Sequence, residues 1–184
     1  MRFRAFIAAD VEPNEPLSAA LADLRRSGAD LKVVRPELLH LTLKFLGEIE
    51  ESLVEDVGRR MALATQDVHP FKLKVNGLGA FPSMSNARVI WAGIEDASPL
   101  VGISRKLDDL LAELGFERDR KGFSAHVTLA RARSGRGMGS VQEMLRLNAT
   151  TDYGEYPVDR ILLKKSVLGP QGPSYSVVRE QRLE

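Results

Sequence analysis

The sequence predicts an α+β fold, and three observations lead there. Strand-like and helix-like segments alternate through the middle of the chain. The C-terminal part reads as two strands joined around Gly169-Pro170-Gln171-Gly172-Pro173, the pattern of a hairpin. The total is seven or eight strands against four helices. Hairpins of that kind favour antiparallel or mixed sheets over a fully parallel, doubly wound sheet.

Taken in order, Arg2 to Asp10 alternates aromatic and polar positions and then turns small and apolar, as a strand does. Pro13 and Pro16 mark a turn. Leu17, Leu21 and Leu24 stand at spacings of four and three, which predicts a helix to about Arg26, with Gly28 at its C-terminus. Leu31 to Val34 reads as a short strand and Arg35-Pro36-Glu37 as a turn. Leu39 to Leu46 is a strong strand that Gly47 should end. Leu53, Val54, Val57 and Met61 mark a second helix.

Phe71 to Val75 alternates cleanly, and Gly77, Gly79 and Pro82 should break that strand. Ala87 to Ile94 is a further strand carrying the single tryptophan, Trp91, which is expected in the core, with base stacking at a cleft as the alternative. Pro99 opens a helix with Leu100, Ile103, Leu107, Leu110, Leu111 and Leu114 on one face, closed by Gly115. Phe123 to Arg133 is a strand, Ser134 to Gly139 a mobile Gly-rich loop, and Val141 to Leu147 a short helix. Val158 to Leu168 and Tyr175 to Arg182 are the closing hairpin strands.

The 184 residues suit one domain, or one domain of two lobes, so 1–184 is read as a single unit. There is no cysteine, which removes disulfides, thiolate metal sites and a cysteine nucleophile, and fits the cytosol. No stretch has the length of a signal peptide core or a membrane span. The protein is therefore expected to be soluble and cytoplasmic, with no membrane partner. No dimerisation stripe stands out, so a monomer is expected. The net charge is +1, with 26 basic and 25 acidic residues. That balance argues against a long duplex footprint but permits recognition of one phosphate or a strand end.

The chemistry lies in the histidines. There are three, and two sit in almost the same local sequence: His40-Leu41-Thr42-Leu43 and His126-Val127-Thr128-Leu129, 86 positions apart. Residues i and i+2 of a strand share a face. Each strand therefore presents one imidazole and one hydroxyl together, with Leu41, Leu43, Val127 and Leu129 turned inward. By the same alternation Phe45 falls on the inward side. Two such strands facing each other would gather two imidazoles and two hydroxyls.

That set suits phosphodiester cleavage. One neutral imidazole can accept a proton from a nucleophile while an imidazolium protonates the leaving oxygen. Hydroxyls can donate to the non-bridging phosphate oxygens. No metal or cofactor is required. A lone strand histidine is more often a packing residue, but a repeated His-apolar-Thr-Leu is harder to dismiss. His69, before Pro70, has no counterpart and reads as an exposed turn residue. Close-spaced ligand pairs of the His-x-x-x-His kind are absent.

The two motifs resemble the signature of the two-histidine (2H) phosphoesterase superfamily. The wider likeness is to its RNA 2′,3′-cyclic phosphodiesterases, also called 2′-5′ RNA ligases (ThpR or LigT type). It extends through Phe6-Ile7-Ala8, Arg35 to Gly47, Gly77 to Pro82, Arg88 to Gly93 and His126 to Arg131. The resemblance implies a bilobal α+β fold, two similar lobes of antiparallel sheet with helices outside and an active-site cleft between them.

It also implies hydrolysis of an RNA 2′,3′-cyclic phosphate end to a 2′-phosphomonoester, with His40 as proton donor and His126 as proton acceptor. Spacing alone does not distinguish those roles. Thr42 and Thr128 would bind phosphate, and reverse 2′-5′ ligation would be a secondary activity. Two positions depart from the family pattern: Ala125 where proline is frequent, and Val33 where an aromatic is frequent.

The family also places an arginine at Arg131 near substrate. Plain alternation from His126 puts Arg131 on the opposite face, and a bulge after Leu129 would reconcile the two. Arg118, Arg120, Lys121, Arg133 and Arg136 form a basic run with no assigned role. The alternatives are a related reaction, on ADP-ribose cyclic phosphate or 2′-5′ oligoadenylate, and a non-catalytic protein that binds RNA ends.

Overall fold

The computed structural model describes residues 1–184. Nine strands form two antiparallel sheets. The first, in the order β3-β1-β8-β9, contains β1 (Arg2–Asp10), β3 (His40–Glu50), β8 (Arg160–Gly169) and β9 (Gly172–Arg182). The second, β2-β6-β5-β4-β7, contains β2 (Leu31–Val33), β4 (Phe71–Pro82), β5 (Ala87–Glu95), β6 (His126–Ala132) and β7 (Asp152–Val158). All pairings are antiparallel, so the expected α+β class and two-sheet arrangement hold.

Four helices cover the outer faces. Helices α2 (Val54–Ala64) and α3 (Ser98–Ala112) pack together over the first sheet. Helices α1 (Glu15–Arg26) and α4 (Met138–Leu147) lie against the second. The side chain of Asn14 caps α1 by accepting from Leu17 N–H at 3.0 Å, a contact worth about 1 kcal/mol. The same side chain donates to the Tyr153 carbonyl at 2.7 Å and so ties α1 to β7. Leu17, Leu21 and Leu24, the residues that announce this helix, are fully buried. They belong to one apolar core that also takes in Ile7, Leu41, Met61, Leu73, Ile90, Leu107, Val127 and Leu163.

Several boundaries differ from the sequence reading. Gly47 does not end β3: it adopts φ +68° inside a strand that runs on to Glu50. Gly77 and Gly79 do not end β4, which continues to Pro82 with a register shift between Val75 and Leu78. The strand before Ala132 begins at His126 rather than Phe123. Strand β7 is absent from the sequence reading. It holds Gly154 and Pro157, residues that disfavour a strand, and its place in the sheet comes from pairing with β4.

The segment expected to be a mobile loop after Arg133 is anchored. Arg133 N–H donates to the Asp30 carbonyl at 2.8 Å, Asp30 N–H to the Arg136 carbonyl at 3.1 Å, and Ser134 Oγ to Asp30 Oδ2 at 2.7 Å. The hairpin forms as expected, with Pro170-Gln171 as its two-residue turn. No helix is long and apolar enough to cross a membrane.

Candidate active site

The chain crosses between the sheets just before His40. β2 pairs with β6 in the second sheet, and Val34 N–H donates to the Leu129 carbonyl at 2.8 Å. Pro36–Leu38 then makes a single 3₁₀ turn, and His40 opens β3 in the first sheet. The crossover therefore carries His40 from the side of β6, the strand that His126 opens, and β3 and β6 pack against each other.

Both imidazoles are held in the same way. His40 Nδ1 lies 2.8 Å from the Leu38 carbonyl, and His126 Nδ1 lies 2.8 Å from the Ser124 carbonyl. A carbonyl oxygen only accepts, so Nδ1 carries the hydrogen in each ring and Nε2 is left free. Each ring also rests on a phenylalanine. Phe6 lies 5.0 Å from His40, and Phe81 meets His126 edge-on at 5.1 Å. Tyr175 closes on His40 from β9, edge-on at 5.3 Å.

Thr42 and Thr128 are half-buried on the faces of their histidines, while Leu41, Leu43, Val127 and Leu129 are buried behind them, as alternation requires. After that the two strands break alternation at the same place. In β3 the pairing with β1 skips Leu43, passing from Ala8 with Thr42 to Ile7 with Lys44. In β6 the pairing with β5 skips Leu129, passing from Trp91 with Thr128 to Ile90 with Ala130. A bulge adds one residue and turns the side chains beyond it to the other face.

Two consequences follow. Arg131 returns to the face of His126 and Thr128, where it is exposed and near enough to Tyr175 to oppose the upward push of burial on that phenol. Phe45, expected in the core, instead stands 71% exposed beside Phe6, with ring centroids 6.4 Å apart. Lys44 takes the buried position and makes an ion pair with Asp108, and it donates to the Glu117 carbonyl at 2.6 Å.

Trp91 also departs from expectation. It lies opposite Thr128 on the cleft face, stacked on Gly79 and tilted against Phe81 at 5.3 Å, and it is not part of the apolar core. His69 is exposed and lies 2.5 Å from the Glu184 carbonyl, apart from the other two. Of the basic run, Arg118 pairs with Asp109, and Arg120 and Lys121 are exposed.

The electrostatics set His40 apart. Burial holds its imidazole below the ordinary histidine value, and the Leu38 carbonyl opposes this. The charge on Lys164 lowers it further, Asp10 raises it, and His126 lowers it.

Residues 7–91 match the family model described as LigT like Phosphoesterase. The RNA 2′,3′-cyclic phosphodiesterase of Archaeoglobus fulgidus is 36% identical over 96% of this chain and 98% of its own length. This chain belongs to the LigT-like phosphoesterases. The protein of the same name from Aeropyrum pernix is also 36% identical, over 87% of this chain and 93% of its own.

Among solved structures, TT0787 of Thermus thermophilus superposes on this LigT-like phosphoesterase with a TM-score of 0.77 and 30% identity, covering 98% of this chain and 97% of that one. E. coli LigT complexed with 3′-AMP shares the fold, with a TM-score of 0.75 at 22% identity, covering 100% of this chain and 99% of the other. The sequence reading of this LigT-like phosphoesterase passes over Phe6, Phe81, Tyr175, Asp10 and Lys164 as neighbours of the site. Strand parity counted from the paired partner of each histidine would have found Asp10. Tyr175 and Lys164 depend on β9 and β8, and the register of β8 with β1 carries no local sequence signal.

Proposed function

We propose that this protein hydrolyses RNA 2′,3′-cyclic phosphate ends to 2′-phosphomonoesters by paired histidine acid–base catalysis, without a metal or cofactor. The observation that carries the reading is the matched pair of imidazoles, each with Nδ1 committed to a carbonyl two residues back and Nε2 free. The names of the relatives support the same substrate.

In this scheme the Nε2 of His126 takes a proton from water as the oxygen attacks phosphorus. The bond from phosphorus to O3′ breaks, and the His40 imidazolium gives its Nε2 proton to O3′. Thr42 and Thr128 donate to the non-bridging oxygens, and Arg131 faces the charge that gathers on them. Burial makes the His40 imidazolium a ready proton donor. The anionic phosphodiester supplies the countercharge that keeps it protonated until then. With a 5′-hydroxyl RNA end attacking the cyclic phosphate in place of water, His126 would take the proton of that hydroxyl, His40 would protonate the departing O3′, and a 2′-5′ linkage would form. The exposed ring of Phe45 offers a stacking surface for the terminal base. A cysteine-free chain of balanced charge fits action as a monomer in the cytoplasm.

The test is incubation with a short RNA ending in a 2′,3′-cyclic phosphate, in the presence of EDTA, with the product's phosphate position determined. A 2′-phosphate, lost in both His40→Ala and His126→Ala, is the expected result. A 3′-phosphate would reverse the leaving oxygen. Turnover that returns only with added divalent metal would overturn the scheme.

A further inference from the structure

A charged pair lies on the cleft face of the first sheet, and the scheme above does not use it. Lys164 of β8 is only 6% exposed. It stands opposite Phe6 in the register of β1 and β8, and the Phe6 ring supports His40. Its ammonium donates to Asp10. Asp10 is the residue of β1 paired directly with His40. The two charges differ in surroundings, since the Lys164 side chain is 7% exposed and that of Asp10 is 48% exposed.

Burying an ammonium is costly, and packing gives no evident reason for a lysine here. Leu162, two residues back on the same strand, is an apolar side chain and is equally well buried. The groups around His40 are Asp10 from β1, Lys164 from β8, Tyr175 from β9 and His126 from β6, with the Leu38 carbonyl behind the ring. The charge of Arg131, on β6, also reaches Tyr175. Lys164 is the buried basic side chain from the first sheet in this set, and Asp10 is the one carboxylate.

We propose that Lys164 and Asp10 form a positioning pair for His40, an ion pair that the β1–β3 and β1–β8 registers set beside the imidazole on the same face of the first sheet. Neither residue touches substrate in this assignment. Lys164 favours neutral His40 and Asp10 favours the charged ring. Removing one must therefore move the ring in the opposite sense from removing the other. A pair that only stabilised the sheet would not behave so.

The variants are Lys164→Met, Asp10→Asn and Lys164→Arg, each first checked for cooperative melting. Lys164→Met leaves Asp10 open to solvent, so the fold should survive. The His40 ring proton is followed by NMR through a pH titration, with His40→Asn used for assignment. Lys164→Met is expected to raise the midpoint and Asp10→Asn to lower it. Each shift should be on the order of half a pH unit, the effect of one charge a few ångströms away in a water-like medium. Lys164→Arg should titrate like the parent.

One limb of the kcat/KM profile on an RNA 2′,3′-cyclic phosphate should follow the same two directions, a part of the test that rests on the function proposed above. Unmoved midpoints in well-folded variants, or midpoints that move the same way, would overturn the positioning pair. Opposite ring shifts in a protein that does not turn over the cyclic phosphate would uphold the pair and reject the function.

Discussion

Gly79→Ala probes how the second histidine is supported. A Cβ on Gly79 would stand 2.3 Å from Trp91 Cη2, 2.4 Å from Cζ2 and 2.9 Å from Cζ3. Carbon contacts settle near ~3.5–4.0 Å, so the indole must retreat by roughly 1–1.5 Å or the strands must part. No protein hydrogen bond holds the indole in place, because Trp91 Nε1 is buried without a partner. Phe81 rests on Trp91 at 5.3 Å, and His126 rests on Phe81 at 5.1 Å, so displacement is passed along the row. Overpacking of this kind costs about 1–3 kcal/mol. For a chain of this size each kcal/mol lowers the melting temperature by about 2–4 °C.

Trp91 is the only tryptophan, so its emission reports the shift directly. The expected result is a lower melting point, altered emission and a fall in kcat larger than the change in KM. Trp91→Leu should relieve the contact. In a double-mutant cycle the pair should therefore cost less than the sum of its parts. Additive costs with unchanged emission would refute the reasoning.

Replacing Arg131 by Lys should keep the charge but lose the planar two-point donor, and a drop in kcat/KM on the order of 10²-fold is expected, with Arg131→Ala lower still. Phe45→Ala should leave the melting temperature nearly unchanged, since the side chain is 71% exposed, while weakening action on RNA by the worth of one stacked base, about 1–3 kcal/mol. Asp108→Ala should strand the Lys44 ammonium, whose side chain is 6% exposed, and cost about 3–5 kcal/mol in denaturant titrations. Because the folded state holds His40 below the ordinary value near 6.5, the unfolded chain binds more protons just below that pH. Stability should fall as pH drops from about 6.5 towards the folded value, and His40→Asn should flatten that part of the melting profile.

The sequence carries the site's centre and hides its surroundings. His40 with Thr42, and His126 with Thr128, are legible because strand periodicity over three residues is a local property. Phe45 is illegible for the same reason: the bulge at Leu43 is fixed by pairing with β1, and nothing between His40 and Phe45 announces it. Arg131 shows the complementary case, where the functional expectation conflicts with parity and the bulge at Leu129 resolves it. Trp91 looks like core because large aromatics usually are. Its place on the cleft face comes from Gly79 across the strand, which leaves room for the ring. β7 escapes the sequence reading because it holds a glycine and a proline, and its buried residues Tyr153, Tyr156 and Val158 stand at spacings of three and two rather than in strict alternation.

The paired bulges give the two strands the same backbone and different ends. At the fifth position after the histidine, one carries an aromatic ring and the other a guanidinium. A cleft walled by two such copies would otherwise be nearly palindromic and would accept a phosphodiester in either sense. In the proposed scheme the mismatch between Phe45 and Arg131 would make it a one-way slot, with the base on one wall and the anion on the other. Such a slot would fix which ester oxygen faces which histidine. Exchanging the two residues would then be a change of direction, and the exchanged protein should release the opposite phosphate isomer if it turns over at all.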